Sequence, residues 1–194
     1  TKGRKLYIKP VIKKVSFADT AKFKSEHLRT SSIKKIEGLS VRDLVGAYGS
    51  PLYVVSENTL RRCYRELSEA FTKRYPRTTI AYSYKTNYLS SICAILHQEG
   101  AWAEVVSGFE YEIAASLGMK GERIIFNGPY KKREEMAKAF REGAAVNIDS
   151  FDELKTAEEV AENTGCKAKT GIRVNMQLNY PVWNKFGFSY WCHN

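Results

Sequence analysis

Lys85 is the residue of this chain whose type and position best fit covalent chemistry. It lies in the segment AYSYKTN (residues 81–87), after a short run with the composition of a buried strand. In parallel α/β folds, ligands bind at the carboxyl ends of the strands. A lysine amine held there, shielded from water, can attack a carbonyl carbon and form a Schiff base. Position alone does not decide this, because an ordinary lysine that reaches solvent at a strand end has the same sequence context.

The cysteines and histidines form no pattern typical of a metal site. No two cysteines have CxxC spacing; the four are Cys63, Cys93, Cys166 and Cys192. We interpret them as free thiols in a reducing compartment, which predicts a cytoplasmic protein. The three histidines are far apart at positions 27, 97 and 193. His97 falls in a helical run, where we expect a surface or packing role, so no metal is predicted.

Composition and charge narrow the class of protein. The 194 residues are 43% hydrophobic and 27% charged, an ordinary globular balance. No apolar run approaches the roughly 20 residues that a membrane helix needs, and no apolar stretch follows the basic N-terminus as in a secretory signal. Most of the net charge of +10 lies in residues 1–36, which hold eleven Lys/Arg and two Asp/Glu. A solvated leader or edge strands explain this basic arm better than nucleic-acid binding, which remains the alternative.

From Ser40 onward, the pattern predicts alternating strands and helices. Ser40 is expected to cap a short helix through Val45, followed by a strand at 52–55 and a helix at 57–75. Further strands are predicted at 79–84, 103–106, 123–126, 145–148 and 170–174, with helices at 89–98, 109–117, 132–141 and 151–163. This period of about 22 residues is typical of βα units in a parallel sheet. It fits an open doubly wound sheet or part of an eight-stranded barrel, although no GxGxxG or P-loop follows the first strand.

Two of the predicted helices begin with a capping box. Ser107 is followed three residues later by Glu110, and Ser150 is followed by Glu153 in the same way. In this motif the serine and the acidic side chain each accept a hydrogen bond from an N–H at the helix start. These residues therefore have a structural role to weigh against any catalytic one.

Five collinear segments carry a resemblance to a known family. AYSYKTN resembles the lysine strand of the fold-type III pyridoxal-phosphate enzymes, which include alanine racemase and ornithine and diaminopimelate decarboxylases. Residues 99–118, 122–143 and 144–154 are similar to the next three strand-helix units of the decarboxylases. GIRVN (171–175) and NKFGF (184–188) are similar to the fifth strand and its loop. The resemblance spans about residues 40 to 188.

The resemblance implies a fold and a reaction. The fold is α/β, a partial (β/α)8 TIM barrel of the alanine racemase-like type, with about five of eight strands and without the C-terminal β domain. The implied protein is a homodimeric, pyridoxal 5'-phosphate-dependent decarboxylase of a diamino or basic amino acid, with diaminopimelate first. Racemases carry a tyrosine four residues after the lysine, where this chain has Leu89. A racemase, a non-catalytic cofactor-binding or regulatory barrel, and a basic adaptor remain alternatives.

The resemblance also assigns roles to individual residues. Lys85 is the catalytic residue that binds the cofactor covalently. Glu104 matches a position near the cofactor ring where the family usually has aspartate, one methylene shorter. Arg173 matches a cofactor-binding arginine on the fifth strand, with a strand-end salt bridge as the alternative. Weaker candidates lie at strand ends and at one helix start: Glu110, Asn127, Asn175 and Lys185.

The predicted domains are a basic arm or β-domain strand at 1–39, a partial cofactor-binding barrel at 40–188 and a non-family tail at 189–194. In the family, the stacking histidine and the glycine-rich phosphate loops lie beyond the fifth strand. Five strands leave two unpaired edges in a barrel of eight. We therefore expect a truncated chain that is poorly stable and inactive on its own.

Overall fold

The computed structural model describes residues 33–175 and the strand at 189–192. The chain divides into two compact units, Thr1–Val54 and Val55–Asn194. In the first unit, strands β1 (Lys35–Ile36) and β2 (Leu39–Ser40) form an antiparallel hairpin, and helix α1 (Val41–Tyr48) follows. The helix was predicted to end at Val45, but it continues through Gly46. It ends before Gly49, whose φ of 84° suits glycine.

The second unit consists of alternating helices and strands. It begins with helix α2 (Glu57–Thr72) and strand β3 (Ala81–Ser83). The elements that follow are α3 (Ser90–Gln98), β4 (Trp102–Val105), α4 (Gly108–Ser116), β5 (Ile124–Phe126), α5 (Arg133–Arg141), β6 (Ala145–Ile148), α6 (Phe151–Thr164), β7 (Lys169–Asn175) and β8 (Ser189–Cys192). Each strand and helix predicted between residues 79 and 175 has a counterpart here.

The strands of the second unit form one sheet in the order β3-β4-β5-β6-β7-β8. The first five strands are parallel and the last pairs antiparallel with β7. The register places Ser83 beside Glu104 and Glu104 beside Ile125. Because the strands are parallel, their carboxyl ends meet at one edge, and the loops that leave them lie side by side.

The core lies between the sheet and its helices. The strands contribute apolar side chains at alternate positions, namely Ala103, Val105, Ile124, Phe126, Val146 and Ile148. The helices contribute Ala114, Met136, Ala139, Phe140, Ala157 and Val160. Successive side chains of a strand point to opposite faces, so Glu104, Ile125 and Asn147 face away from the helices. The sheet face opposite the core therefore carries polar groups.

The predicted strand at 52–55 is wrong. These residues have no regular structure, and all four side chains from Leu52 to Val55 are exposed. A run of β-prone residues becomes a strand only when a neighbouring strand pairs with its backbone, and none does so within residues 33–175. No helix in this same part of the chain has the length and apolar character needed to cross a bilayer.

Candidate functional site

Lys85 lies directly after β3, in a single 3₁₀ turn formed by Tyr84–Thr86. The Thr86 hydroxyl donates to the Ser83 carbonyl at 2.6 Å, which closes the turn. Tyr84 is fully buried, whereas the neighbouring Lys85 is exposed at the carboxyl end of the strand. The turn thus presents a lysine amine at the edge of the sheet where parallel α/β folds bind ligands.

A hydrogen bond between the buried Tyr84 and the partly buried His97 connects this turn to helix α3. The Tyr84 hydroxyl and His97 Nε2 are 2.6 Å apart, and His97 Nδ1 lies 2.9 Å from the Ala101 carbonyl. A carbonyl only accepts, so Nδ1 carries the proton, and Nε2 accepts from the tyrosine. Burial lowers the pKa of His97 and raises that of Tyr84. His97 is therefore a packing residue, in its neutral form, on α3.

The His97 arrangement predicts a loss of stability in mild acid. The lowered pKa of His97 means that, below about pH 6.5, the unfolded chain takes up this proton more readily than the folded protein. The free energy of unfolding should therefore fall as the pH falls from 7 toward 5. His97→Gln, which keeps a polar side chain without this titration, should show a shallower fall. Urea denaturation at several pH values measures both slopes, and equal slopes would contradict the assignment.

Three polar side chains form a continuous row on the sheet face opposite the core. Asn147 Nδ2 donates to Asn127 Oδ1 at 2.6 Å, and Asn127 Nδ2 donates to Glu104 Oε1 at 2.5 Å. The row crosses from β6 to the end of β5 and on to β4. Glu104 and Asn127 are partly exposed, whereas Asn147 is buried. We call Glu104, Asn127 and Asn147 the polar row.

Unused hydrogen-bonding capacity borders the polar row. Ser83 Oγ and Asn147 Oδ1 are buried and have no hydrogen-bond partner. Ser83 lies two residues before Lys85 in the chain and pairs in register with Glu104 on the neighbouring strand. Buried polar groups are almost always paired in native proteins, so unpaired ones favour a site that a polar ligand completes. Sequence analysis missed Ser83 and Asn147. The signal for Asn147 was an amide inside the otherwise apolar run AAVNI.

The serine cap predicted at the start of α4 is present, and the glutamate binds one residue further back than in a capping box. Ser107 Oγ accepts from the Glu110 N–H at 3.3 Å, and Glu110 Oε2 accepts from the Val106 N–H at 2.8 Å. Glu110 is buried, and its Oε2 is used by this arrangement at the helix start. The structure therefore supports the capping role that competed with a cofactor role for Glu110.

The same arrangement at the start of α6 includes a buried ion pair. At the start of α6, Ser150 Oγ accepts from the Glu153 N–H at 3.2 Å, and Glu153 Oε2 accepts from the Asp149 N–H at 2.8 Å. Lys131 Nζ reaches both Glu153 oxygens at 2.9 and 3.0 Å and the Gly128 carbonyl at 2.8 Å. Burial lowers the pKa of Lys131, while Glu153 partly offsets that effect. The pair fixes the loop after β5 against α6.

Arg173 lies at the opposite end of the site from Lys85. Its Nη1 donates to Asp149 Oδ1 at 2.9 Å, which is the strand-end salt bridge that the sequence left as the alternative. Both side chains are partly exposed at the ends of β7 and β6. Asn175 is the last residue of β7, and the structure describes its backbone but not its side chain. Lys185 lies outside the described residues.

The described part of the chain contains no group of three or more histidine, cysteine or acidic residues that could hold a metal. Its cysteines, Cys63, Cys93 and Cys166, are free thiols. Burial raises the pKa of the Cys93 thiol, whose Sγ lies 3.8 Å from the Asn87 carbonyl. The chemistry of the site therefore comes from an amine, a carboxylate, two amides and an arginine-aspartate pair.

Comparison with known proteins identifies the family. The sequence model described as pyridoxal-dependent decarboxylase, pyridoxal binding domain, matches residues 60–191, more than half of the chain. The chain belongs to this family. Membership confirms pyridoxal phosphate as the cofactor and a carboxy-lyase family as the enzyme class. The match ends at residue 191 and so includes three of the six residues predicted to form a non-family tail at 189–194. The predicted domain boundaries stay a prediction.

The chain is similar in sequence to diaminopimelate decarboxylases from several organisms. The chain is 37% identical to the diaminopimelate decarboxylase of Aquifex aeolicus over 145 residues, which is 74% of this chain and 34% of that enzyme. It is 35% identical to the Methanocaldococcus jannaschii enzyme over 150 residues, with the same shares covered. The chain therefore spans about a third of the length of these relatives.

A solved structure confirms the fold class. The M. jannaschii diaminopimelate decarboxylase in co-complex with L-lysine matches with a TM-score of 0.72 and 33% identity, over 78% of this chain and 36% of that one. The parallel strands β3–β7 are thus part of the predicted (β/α)8 barrel. In a barrel the sheet face opposite the helices is the interior, so the polar row lines the interior near the carboxyl ends.

The residues present fit a pyridoxal phosphate site. Lys85 supplies an exposed primary amine at the carboxyl edge of the sheet, where covalent attachment to an aldehyde is possible. Ser83 Oγ and Asn147 Oδ1 leave hydrogen-bonding capacity unused on the same face. Glu104 adds a carboxylate held by Asn127. These groups match the hydrogen-bonding needs of an aldehyde cofactor with several polar substituents.

Proposed function

We propose that this chain contributes the lysine-bearing part of the active site of a diaminopimelate decarboxylase-like enzyme. The observation that carries the proposal is the position of Lys85, exposed at the end of β3 beside the interior polar row. The reaction is the removal of the α-carboxylate of a diamino acid as CO2. Family membership and the two relatives support this choice of substrate class.

Each proposed residue has a role that its contacts support. Lys85 would hold the cofactor covalently through its side-chain amine at the end of β3. Glu104 offers a fixed hydrogen-bond acceptor at the barrel interior. Arg173 forms a salt bridge with Asp149 and so places a guanidinium at the carboxyl ends of β6 and β7. The bound cofactor supplies an electron sink for the pair of electrons left when CO2 departs.

We further propose an amino-acid substrate with a second charged end and a homodimeric enzyme. The relative from M. jannaschii was solved with L-lysine, which supports a substrate of this size and charge. The cytoplasmic location predicted from the cysteines stays a prediction, which cell fractionation would test. A racemase of the same fold remains the second candidate, and the two differ in product: CO2 or the inverted amino acid.

Covalent labelling tests the assignment of Lys85. The protein is incubated with pyridoxal phosphate, reduced with borohydride, digested and mapped by mass spectrometry. The label should concentrate on the peptide that contains Lys85 and disappear in Lys85→Arg. Lys120→Arg is a matched control, because Lys120 is also exposed but lies before β5, at the other end of the sheet.

Two results would contradict the proposal. One is a label spread evenly over surface lysines in the wild-type protein, with no preference for Lys85. The other is undiminished labelling of Lys85→Arg. Release of CO2 from diaminopimelate, compared with chiral analysis of the remaining amino acid, then separates decarboxylation from racemisation.

A further inference from the structure

We infer that Asn127, backed by Asn147, is a positioning residue that fixes the carboxylate of Glu104 beside the cofactor. The inference rests on the proposed function, because that function places the cofactor at the barrel interior where Glu104 lies. It goes further by assigning the orientation of Glu104 to two amides on the neighbouring strand ends. Neither amide needs to touch the substrate for this role.

The direction of the hydrogen bonds follows from the chemistry of the carboxylate. An ionised carboxylate only accepts, so Asn127 must turn its Nδ2 toward Glu104 Oε1. Its Oδ1 then faces Asn147, which must donate through its own Nδ2. The Asn147 Oδ1 is left buried and without a partner. The carboxylate of Glu104 thus determines which way the amide groups of Asn127 and Asn147 are turned.

Glu104 needs such support because its side chain is long and no lysine or arginine in the described part of the chain forms a salt bridge with it. The glutamate side chain has three rotatable bonds, and its ordering costs conformational entropy. Within residues 33–175, no lysine or arginine forms a salt bridge with Glu104. Asn127 Nδ2 donates a hydrogen bond to Glu104 Oε1 at 2.5 Å. A bond of this kind, to a charged acceptor, selects one rotamer among many.

Asn127 is itself held on a rigid support. Its backbone N–H donates to the Val105 carbonyl at 2.7 Å, which extends the pairing of β4 and β5 by one residue. The next residue, Gly128, packs against the Val106 carbonyl, and Lys131 binds the Gly128 carbonyl at 2.8 Å. A side chain presented from such a fixed backbone can position another group to within a fraction of an ångström.

The unpaired oxygen of Asn147 argues against a purely structural role for the row. A buried acceptor without a partner is unfavourable, and an apolar residue on β6 would avoid it. The row keeps this unfavourable group while directing both amide donors toward Glu104. In native proteins, buried polar groups without a hydrogen-bond partner are expected mainly at functional sites.

An exchange of side-chain length tests the inference. Glu104→Asp withdraws the carboxylate by one methylene, and Asn127→Gln extends the amide by one. Each single variant should weaken pyridoxal phosphate binding about ten-fold, the effect expected for loss of one charge-assisted hydrogen bond. The double variant should recover to within about three-fold of wild type, because the two lengths compensate. Spectral titration with pyridoxal phosphate measures the affinities, and circular dichroism verifies the fold.

Asn163→Gln is the matched control. Asn163 is an exposed residue of α6, so the same added methylene should leave the affinity unchanged. A second readout needs no cofactor: the side-chain amide signals of Asn127 in a ¹⁵N NMR spectrum should move in Glu104→Asp.

The outcomes separate this inference from the proposed function. Additive losses in the double variant, about a hundred-fold in total, would overturn the positioning role. So would Asn127 amide signals that do not respond to Glu104→Asp. Failure to label Lys85 would instead overturn the proposed function, and the NMR result would still report whether Asn127 holds Glu104.

Discussion

Lys131→Met is expected to lower the free energy of unfolding by about 3–5 kcal/mol, the usual cost of removing one partner from a buried ion pair. The Lys131 ammonium is fully buried, and its three protons are used by Glu153 Oε1, Glu153 Oε2 and the Gly128 carbonyl. Without the ammonium, the Glu153 carboxylate stays buried with no cation beside it. The Gly128 carbonyl loses its partner as well.

The same substitution at an exposed pair is the control. Lys73 pairs with Glu69 at 3.2 Å, and both side chains are largely exposed, so Lys73→Met should change stability by at most about 0.5 kcal/mol. Urea denaturation monitored by circular dichroism compares the two variants. If the wild-type margin is small, Lys131→Met will be unfolded without denaturant while Lys73→Met remains folded. Equal effects of the two substitutions would show that the buried pair does not stabilise the fold.

Gly128→Ala should be the most damaging single-methyl change at the site. The added Cβ would lie 2.4 Å from the Val106 carbonyl oxygen, and the backbone φ of +105° is strained for any residue with a Cβ. The atom in the way belongs to the backbone, so the two strand-end loops must separate. Because Asn127 is the preceding residue, the hydrogen bond to Glu104 should be lost together with stability.

Gly118→Ala is the control that introduces backbone strain without a steric clash. Gly118 has a φ of +81° after α4, and nothing lies within 4 Å of its added Cβ. Its substitution should cost only the backbone strain, about 1–2 kcal/mol. Gly128→Ala should cost about 1–3 kcal/mol more, the range for forcing an extra group into a packed site. A thermal or urea melt gives both values, and a larger loss for Gly118→Ala would contradict the close approach of the two loops.

Two layers of contacts support the candidate site. The first layer consists of the helix-start hydrogen bonds of Glu110 and Glu153 and of the Lys131–Glu153 pair, which fix the loops after β4, β5 and β6 against the helices. The second layer is the polar row, which crosses the sheet face that lines the barrel interior. In the first layer all three protons of the Lys131 ammonium have acceptors, whereas the polar row ends in an unpaired oxygen. This contrast is expected when one layer provides stability and the other receives a ligand.

The sequence by itself determined the features that depend on neighbours along the chain. Ser107 and Ser150 cap their helices as predicted, and Glu110 and Glu153 bind one residue further back than in a capping box. These hydrogen bonds join residues three or four positions apart, so the sequence determines them. The regular order of strands and helices along the chain also predicted the parallel sheet, because parallel neighbours need such a connection between them. The resemblance carried by AYSYKTN pointed to Lys85, and the structure exposes that lysine at the strand end.

Only the tertiary structure decided the features that depend on pairing between distant segments. Residues 52–55 have strand-like composition, but strand structure requires a partner, which composition does not supply. The polar row joins Glu104, Asn127 and Asn147 across gaps of about twenty residues, so it exists only once the register of three strands is set. Nothing in the sequence distinguishes Lys131 from the other lysines, whereas the structure shows it buried and paired with Glu153. Contacts of this kind are fixed by packing, and packing is a property of the whole sheet.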